Sequence, residues 1–152
     1  MSSNDLSQVR DYIKTRMSSA EPTFKEWVDS LDNIGNIPKT ILDKTYHITL
    51  GTDLSSPQSD LHIEDSFQVI VSIFKRGYNT PVEARDSLLQ TANCIRLDVI
   101  NPLNVEAYKS ANDGNIEAVE SVSITPSEID ISNDNIVQVQ IEFNVRLFIG
   151  VA

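Results

Sequence analysis

One cysteine, Cys94, in 152 residues rules out an internal disulfide and points to a reducing compartment during folding. Histidine is almost as scarce, with only His47 and His62. The five glycines are scattered, so no glycine-rich phosphate loop is present. No run approaches the ~18 apolar residues of a membrane-spanning helix. Residues 1–5 hold neither a basic region nor an apolar stretch, so no signal peptide is expected. Positive charge is also short: 12 Lys and Arg stand against 22 Asp and Glu, for a net charge of −10. Such a chain is repelled by nucleic acid and by anionic membrane surfaces.

What is present is a chain of one-domain length, residues 1–152, with an ordinary 40% hydrophobic content and room for a sizeable core. Its acid is unevenly placed. Residues 53–65 hold four carboxylates and no Lys or Arg, and residues 102–135 hold seven with only Lys109 opposed. These segments read as solvated loops or edge strands. The sharper alternative is a surface past which something polyanionic slides without sticking.

The strongest pattern lies at the end. Over residues 137–151 every odd position is apolar: Val137, Val139, Ile141, Phe143, Val145, Leu147, Ile149 and Val151. The even positions run Gln138, Gln140, Glu142, Asn144 and Arg146 before Phe148 and Gly150. A period of two over fifteen residues gives one wet and one dry face only in a β-strand. At ~3.3 Å per residue it spans roughly 50 Å, far beyond the usual strand of about 5–6 residues. That excess predicts a sheet that curves or continues into a neighbouring subunit.

Upstream, Ser3-Asn4 reads as a helix cap, and Leu6, Val9, Ile13 and Met17 form an amphipathic stripe opposite Asp11, Lys14 and Arg16. Pro22 interrupts it. Phe24, Trp27, Val28 and Leu31 suggest another turn or two of helix, and residues 33–38 are turn-like. Residues 45–50 alternate as a first strand, 51–65 form a polar connection, and 67–75 make a second strand with a half-polar second face. Thr80-Pro81-Val82-Glu83 has the order of a capping box with proline at the first helical position. The helix it opens carries Val82, Leu88, Leu89, Ala92 and Ile95 as its buried stripe and ends near Asp98. Residues 103–114 read as an irregular loop, 116–125 as a third strand, and 132–135 as a turn into the last one. This order predicts an α+β fold: an antiparallel or mixed four-stranded sheet with helices packed on one face.

No chemistry of comparable clarity appears. His62 with Asp60, Glu64 and Asp65 is one histidine among carboxylates. A structural zinc site needs four ligands, usually with Cys or several His, and calcium needs alternating ligands with a glycine. Cys94 sits near an apolar stripe and is expected to be buried and inert; Arg96, two residues on, points elsewhere on a helix. Lys75-Arg76 beside Tyr78 is the one basic spot with an aromatic, and it reads as a solvated hairpin end. No serine stands in a nucleophile elbow. No catalytic residue, cofactor or metal is therefore expected, and a structural or interaction role fits better than an enzyme.

Several segments together resemble the tail terminator (tail completion) proteins of long-tailed bacteriophages. They are Phe24-Lys25-Glu26-Trp27, Asn36-Ile37-Pro38, Leu42-Asp43-Lys44-Thr45-Tyr46-His47-Ile48, the strand over 69–75, Arg76-Gly77, Pro81-Val82-Glu83-Ala84, and Ile141-Glu142-Phe143-Asn144-Val145-Arg146. The resemblance implies a small α+β subunit without a catalytic site, located in the virion tail or neck and assembled in the host cytoplasm. It implies a homo-oligomeric ring, expected to be a hexamer, that caps the tail tube and stops its polymerisation. The implied partners are the tail tube protein and a head-completion or connector protein, and DNA passes through the lumen without sequence-specific binding. An acidic lumen wall would then limit adhesion of DNA. The alternatives are a head–tail connector, neck or baseplate adaptor without a termination role, and a ligand-binding α+β domain with a pocket between sheet and helix. The end of the final strand, Arg146, Leu147, Phe148, Ile149 and Val151, is the expected subunit interface, so truncation after Arg146 is expected to spare folding and impair assembly.

Overall fold

The computed structural model describes residues 3–28, 39–53, 63–77, 80–112, 114–126 and 136–150. The elements run α1 (Ser3–Ala20), β1 (Lys25–Glu26), α2 (Lys39–Leu42), β2 (Thr45–Asp53), β3 (Ile63–Arg76), α3 (Pro81–Ile100), α4 (Pro102–Asn112), β4 (Ile116–Pro126) and β5 (Ile136–Gly150). The strands form one mixed sheet in the order β1-β2-β3-β5-β4. Only β1, two residues long, is parallel to its neighbour; β2–β3, β3–β5 and β5–β4 are antiparallel. The fold is thus α+β as expected, with five strands rather than four.

The alternation in β5 does what its period requires. Val137, Val139, Ile141, Phe143, Val145 and Leu147 are at most 1% exposed. Phe67, Val69, Val71 and Ile73 of β3 lie opposite Val145, Phe143, Ile141 and Val139, and Tyr46 and Ile48 of β2 extend the row. Each large apolar side chain so buried contributes about 1.5–3 kcal/mol.

Helices cover this face. Val9, Tyr12, Ile13 and Met17 of α1 are buried at steps of three and four, as are Ala84, Leu88, Ala92, Ile95 and Val99 of α3. Tyr12 donates a hydrogen bond to the Val99 carbonyl at 2.5 Å and meets the Tyr108 ring edge-on, with centroids 5.4 Å apart. Arg16 reaches Asp98 at 3.1 Å. These contacts lock α1, α3 and α4 into one layer.

The length of β5 has an internal explanation. β3 is 14 residues long and pairs with β5 over its whole length, and β4 pairs with it from Ile116 to Pro126. The final strand is long because it is the central staple of a tall sheet, hydrogen-bonded on both sides. No spare strand extends toward a neighbour within the described residues.

Other expectations need correction. Lys25–Glu26 are strand, not helix, because Lys25 and Trp27 donate to the Lys44 and Tyr46 carbonyls at 3.0 and 2.7 Å. Residues 51–53 and 63–65 belong to strands rather than to the connection. At Gly51 a Cβ would lie 3.1 Å from the Gln68 carbonyl oxygen, so this strand position favours glycine. Thr80 precedes α3 without a side-chain capping bond, and Val82 is 53% exposed rather than part of the stripe. Residues 103–112 are helical: the Asn101 side chain accepts from the Leu103 amide at 3.0 Å, Pro102 opens the helix, and Val105 and Tyr108 are buried. The turns expected at 33–38 and 132–135 lie outside the described residues.

Candidate assembly surface

Among the described residues the second face of the sheet carries no long helix. Alternation in β5 directs Gln138, Gln140, Glu142, Asn144 and Arg146 there, all half-buried or exposed. The Gln68 amide donates to one oxygen of Glu142, and Ser123 Oγ lies 3.4 Å from the other. Ile70, Thr125 and Gln140 complete a recess of about 260 Å³ around them. Its groups are amides, hydroxyls and one carboxylate whose two oxygens are already engaged, so it presents no nucleophile–base pair. At the β2 end of this face Ser72 and Phe74 are buried, so the half-polar second face of β3 is covered there. Leu42 of α2 is also buried, and α2 packs against β3.

Two larger recesses are lined by charge. One, about 570 Å³, lies between α1 and α4. Tyr108 Oη there donates to Asp11 Oδ2 at 2.7 Å, and the Gln8 side chain accepts from the Asn115 amide at 2.9 Å. The other, about 400 Å³, gathers Lys44, Lys75 and Arg76 with Asp43 and Glu83 at the start of α3. Asp43 accepts from the Arg76 amide at 2.9 Å, and Lys44 holds a φ of 58°. The basic spot read from Lys75-Arg76 is therefore built, but two carboxylates offset its three cations; Tyr78 lies outside the described residues.

Burial raises the pKa of three tyrosines. Tyr12 is pushed up chiefly by burial, with Arg16 opposing and Asp98 assisting. Tyr108 rises through burial and its hydrogen bond to Asp11, and Tyr46 through burial and the nearby Glu26 carboxylate. All three are core positions, and the shifts mark packing rather than acid–base chemistry. His47 donates from Nδ1 to the Trp27 carbonyl at 2.7 Å and so fastens β1 to β2. Cys94 is exposed, which corrects the expectation of burial: it falls outside the row Leu88, Ala92, Ile95, Val99 that faces the core. Arg96 is engaged by Asn93 on the helix surface. His62 and Asp60 lie outside the described residues; among the described residues no group of three His, Cys, Asp or Glu could hold a metal ion, and no helix is long and apolar enough to cross a membrane.

The expected interface residues divide. Arg146 and Phe148 alternate onto the face away from the long helices, Arg146 exposed and 3.8 Å from Glu120. Leu147 is fully buried in the core, opposite Asp65 and Ile116. The Phe148 amide donates to the Asn115 carbonyl at 2.8 Å. Ile149 lies within β5, and Val151 is outside the described residues. Because β3 and β4 flank β5, its backbone is not a free edge.

Among the described residues the free edges are β4, which lies in the acidic segment 102–135 read as loop or edge strand, and the outer side of β2. Among the described residues β4 pairs only with β5. On the far side β1 covers only Thr45 and Tyr46 of β2. A bulge at Ser121/Ser123 leaves Val122 of β4 without a cross-strand partner and 54% exposed. At the other edge Val28, just beyond β1, is 67% exposed.

Among the described residues the arrangement is an α+β scaffold with one helix-covered face, one polar face and two open sheet edges. No family model and no curated protein matches the chain. Thirty-three chains of solved structures do match. One belongs to the structure titled "Virion of native gene transfer agent (GTA) particle"; it is 9% identical, the alignment covers 97% of this chain and 99% of that one, and the TM-score is 0.51. At that identity the likeness establishes a shared fold over nearly the whole of both chains.

Proposed function

We propose that this chain is a structural protein of a phage-type virion. Its finer role is to form a ring that caps the tail tube, stops tube polymerisation and offers the surface to which the head is joined. The observation that carries the reading is the end-to-end fold match to a chain of a gene transfer agent virion. The resemblance of the sequence segments to tail terminators gives it direction. The site supports it in kind: among the described residues two sheet edges lack a partner strand, and the recesses hold mutually engaged polar groups. The protein is not an enzyme on this reading and needs no cofactor. The ring is expected to be hexameric, with the tube protein on one side and a head-completion or connector protein on the other.

The net charge of −10 suits a ring through which DNA moves without sticking. The polar strand face is the best candidate for a lumen wall, since Glu120 and Glu142 lie on it and it lacks a long helix. Immunogold labelling of intact particles tests the placement. Label at the head-proximal end of the tail is expected; label along the tube or over the head shell would overturn it.

A further inference from the structure

We infer that neighbouring copies of this chain join through opposite edges of the sheet, the outer side of β4 in one copy pairing antiparallel with the outer side of β2 beyond His47 in the next. The inference rests on the ring reading above and names the contact that would build the ring.

Four observations carry it. First, among the described residues both edges lack a strand partner on their outer side: β4 over 11 residues, β2 over residues 48–53. Natural proteins blunt such edges or use them, and β4 has no Lys and no Pro before its last residue. Second, the directions match. β2, β3, β5 and β4 alternate in direction, so a continued sheet sets β4 antiparallel to the next β2. Third, each edge shows an exposed apolar side chain, Val122 at one and Val28 at the other. Fourth, the charges differ in sign. β4 carries Glu117 and Glu120, which Lys109 and Arg146 approach at 3.4 and 3.8 Å, while Lys25 and Lys44, both exposed, stand at the β1–β2 edge, with Asp53 at the far end of β2. The one acid of β1, Glu26, is turned inward with its side chain 9% exposed and is held by Arg10 and Lys14.

Because the two surfaces differ, the contact is heterologous, and repeating it closes a ring when the rotation per copy divides a full turn. The twist between adjacent strands, about 20–25°, supplies rotation of a consistent hand.

The test uses two full-length variants. Val122→Lys places a cation against Lys25 and Lys44 of the next copy; Thr49→Glu places an acid on exposed β2 against Glu117 and Glu120. Neither residue is in the core, and thermal melts followed by circular dichroism check that both fold. Sedimentation velocity should show wild-type copies associating as concentration rises, each variant alone monomeric, and an equimolar mixture regaining association, with dimers at least. The mixture retains one intact pair of edges, from β2 of the Val122→Lys copy and β4 of the Thr49→Glu copy. Either folded variant assembling like wild type, or a mixture without dimers, would overturn the edge contact while leaving a wild-type ring standing. Wild-type copies that stay monomeric at every concentration would also overturn it, and the capping role would then be judged on particles alone.

Discussion

Leu147 of β5 and Ile116 of β4 face each other across the sheet, both fully buried. This pair closes the core at the end of the final strand, where an interface was expected from sequence. Its burial makes Leu147 a folding residue. Leu147→Ala should cost about 2–5 kcal/mol, read as a lower urea midpoint with an unchanged slope. Truncation after Arg146 removes the same side chain together with the Phe148–Asn115 hydrogen bond, so it should lower stability before it affects assembly. A truncated chain with the wild-type midpoint would show that the pair contributes nothing.

The period of two in β5 makes a sharper comparison. Phe143 is fully buried and Gln140, three residues earlier on the other face, is exposed. Phe143→Ala should cost about 3–5 kcal/mol and Gln140→Ala about 0.5 kcal/mol or less. Equal losses in denaturant titrations would contradict the assigned faces.

Alkaline pH should unfold the protein through its tyrosines. Tyr12, Tyr46 and Tyr108 all have raised pKa values when folded. The unfolded chain therefore releases phenolic protons first, near the ordinary value of about 10. The stability tied to these groups is complete below pH 10 and falls as pH rises above it. Melting temperature against pH should bend downward beyond that point, and Tyr12→Phe should show a shallower decline. An identical decline in wild type and variant would mean that Tyr12 does not take part.

The Glu26 carboxylate gives a fourth expectation. It is nearly buried and is held by Arg10 and Lys14 of α1. Arg10→Met leaves the acid with Lys14 alone at 3.6 Å and should destabilise by about 1–3 kcal/mol. The double variant Arg10→Met with Glu26→Gln should recover part of that loss. A single variant as stable as wild type in chemical denaturation would show that the clamp is solvated.

Most of the sheet was legible because its strands carry a local period. Residues 45–50, 67–75 and 137–150 alternate and fall in strands, as do residues 116–125 read as strand. Residues 103–114 read as loop because no apolar period stands out there, although Asn101 supplies a cap and Pro102 begins the helix. β1 was missed because two residues carry no period; it exists through its bonds to Lys44 and Tyr46. The interface expectation rested on strand length, which reflects the nearly equal length of β3, 14 residues against 15. Which strand lies at an edge depends on pairing order, and pairing order is a property of the whole chain.

Electron microscopy of particles made without this chain tests the central claim most directly. The capping role predicts tails of abnormal or variable length and heads that remain unattached, with normal length restored when the gene is supplied in trans. Tails of uniform, normal length joined to heads would contradict it.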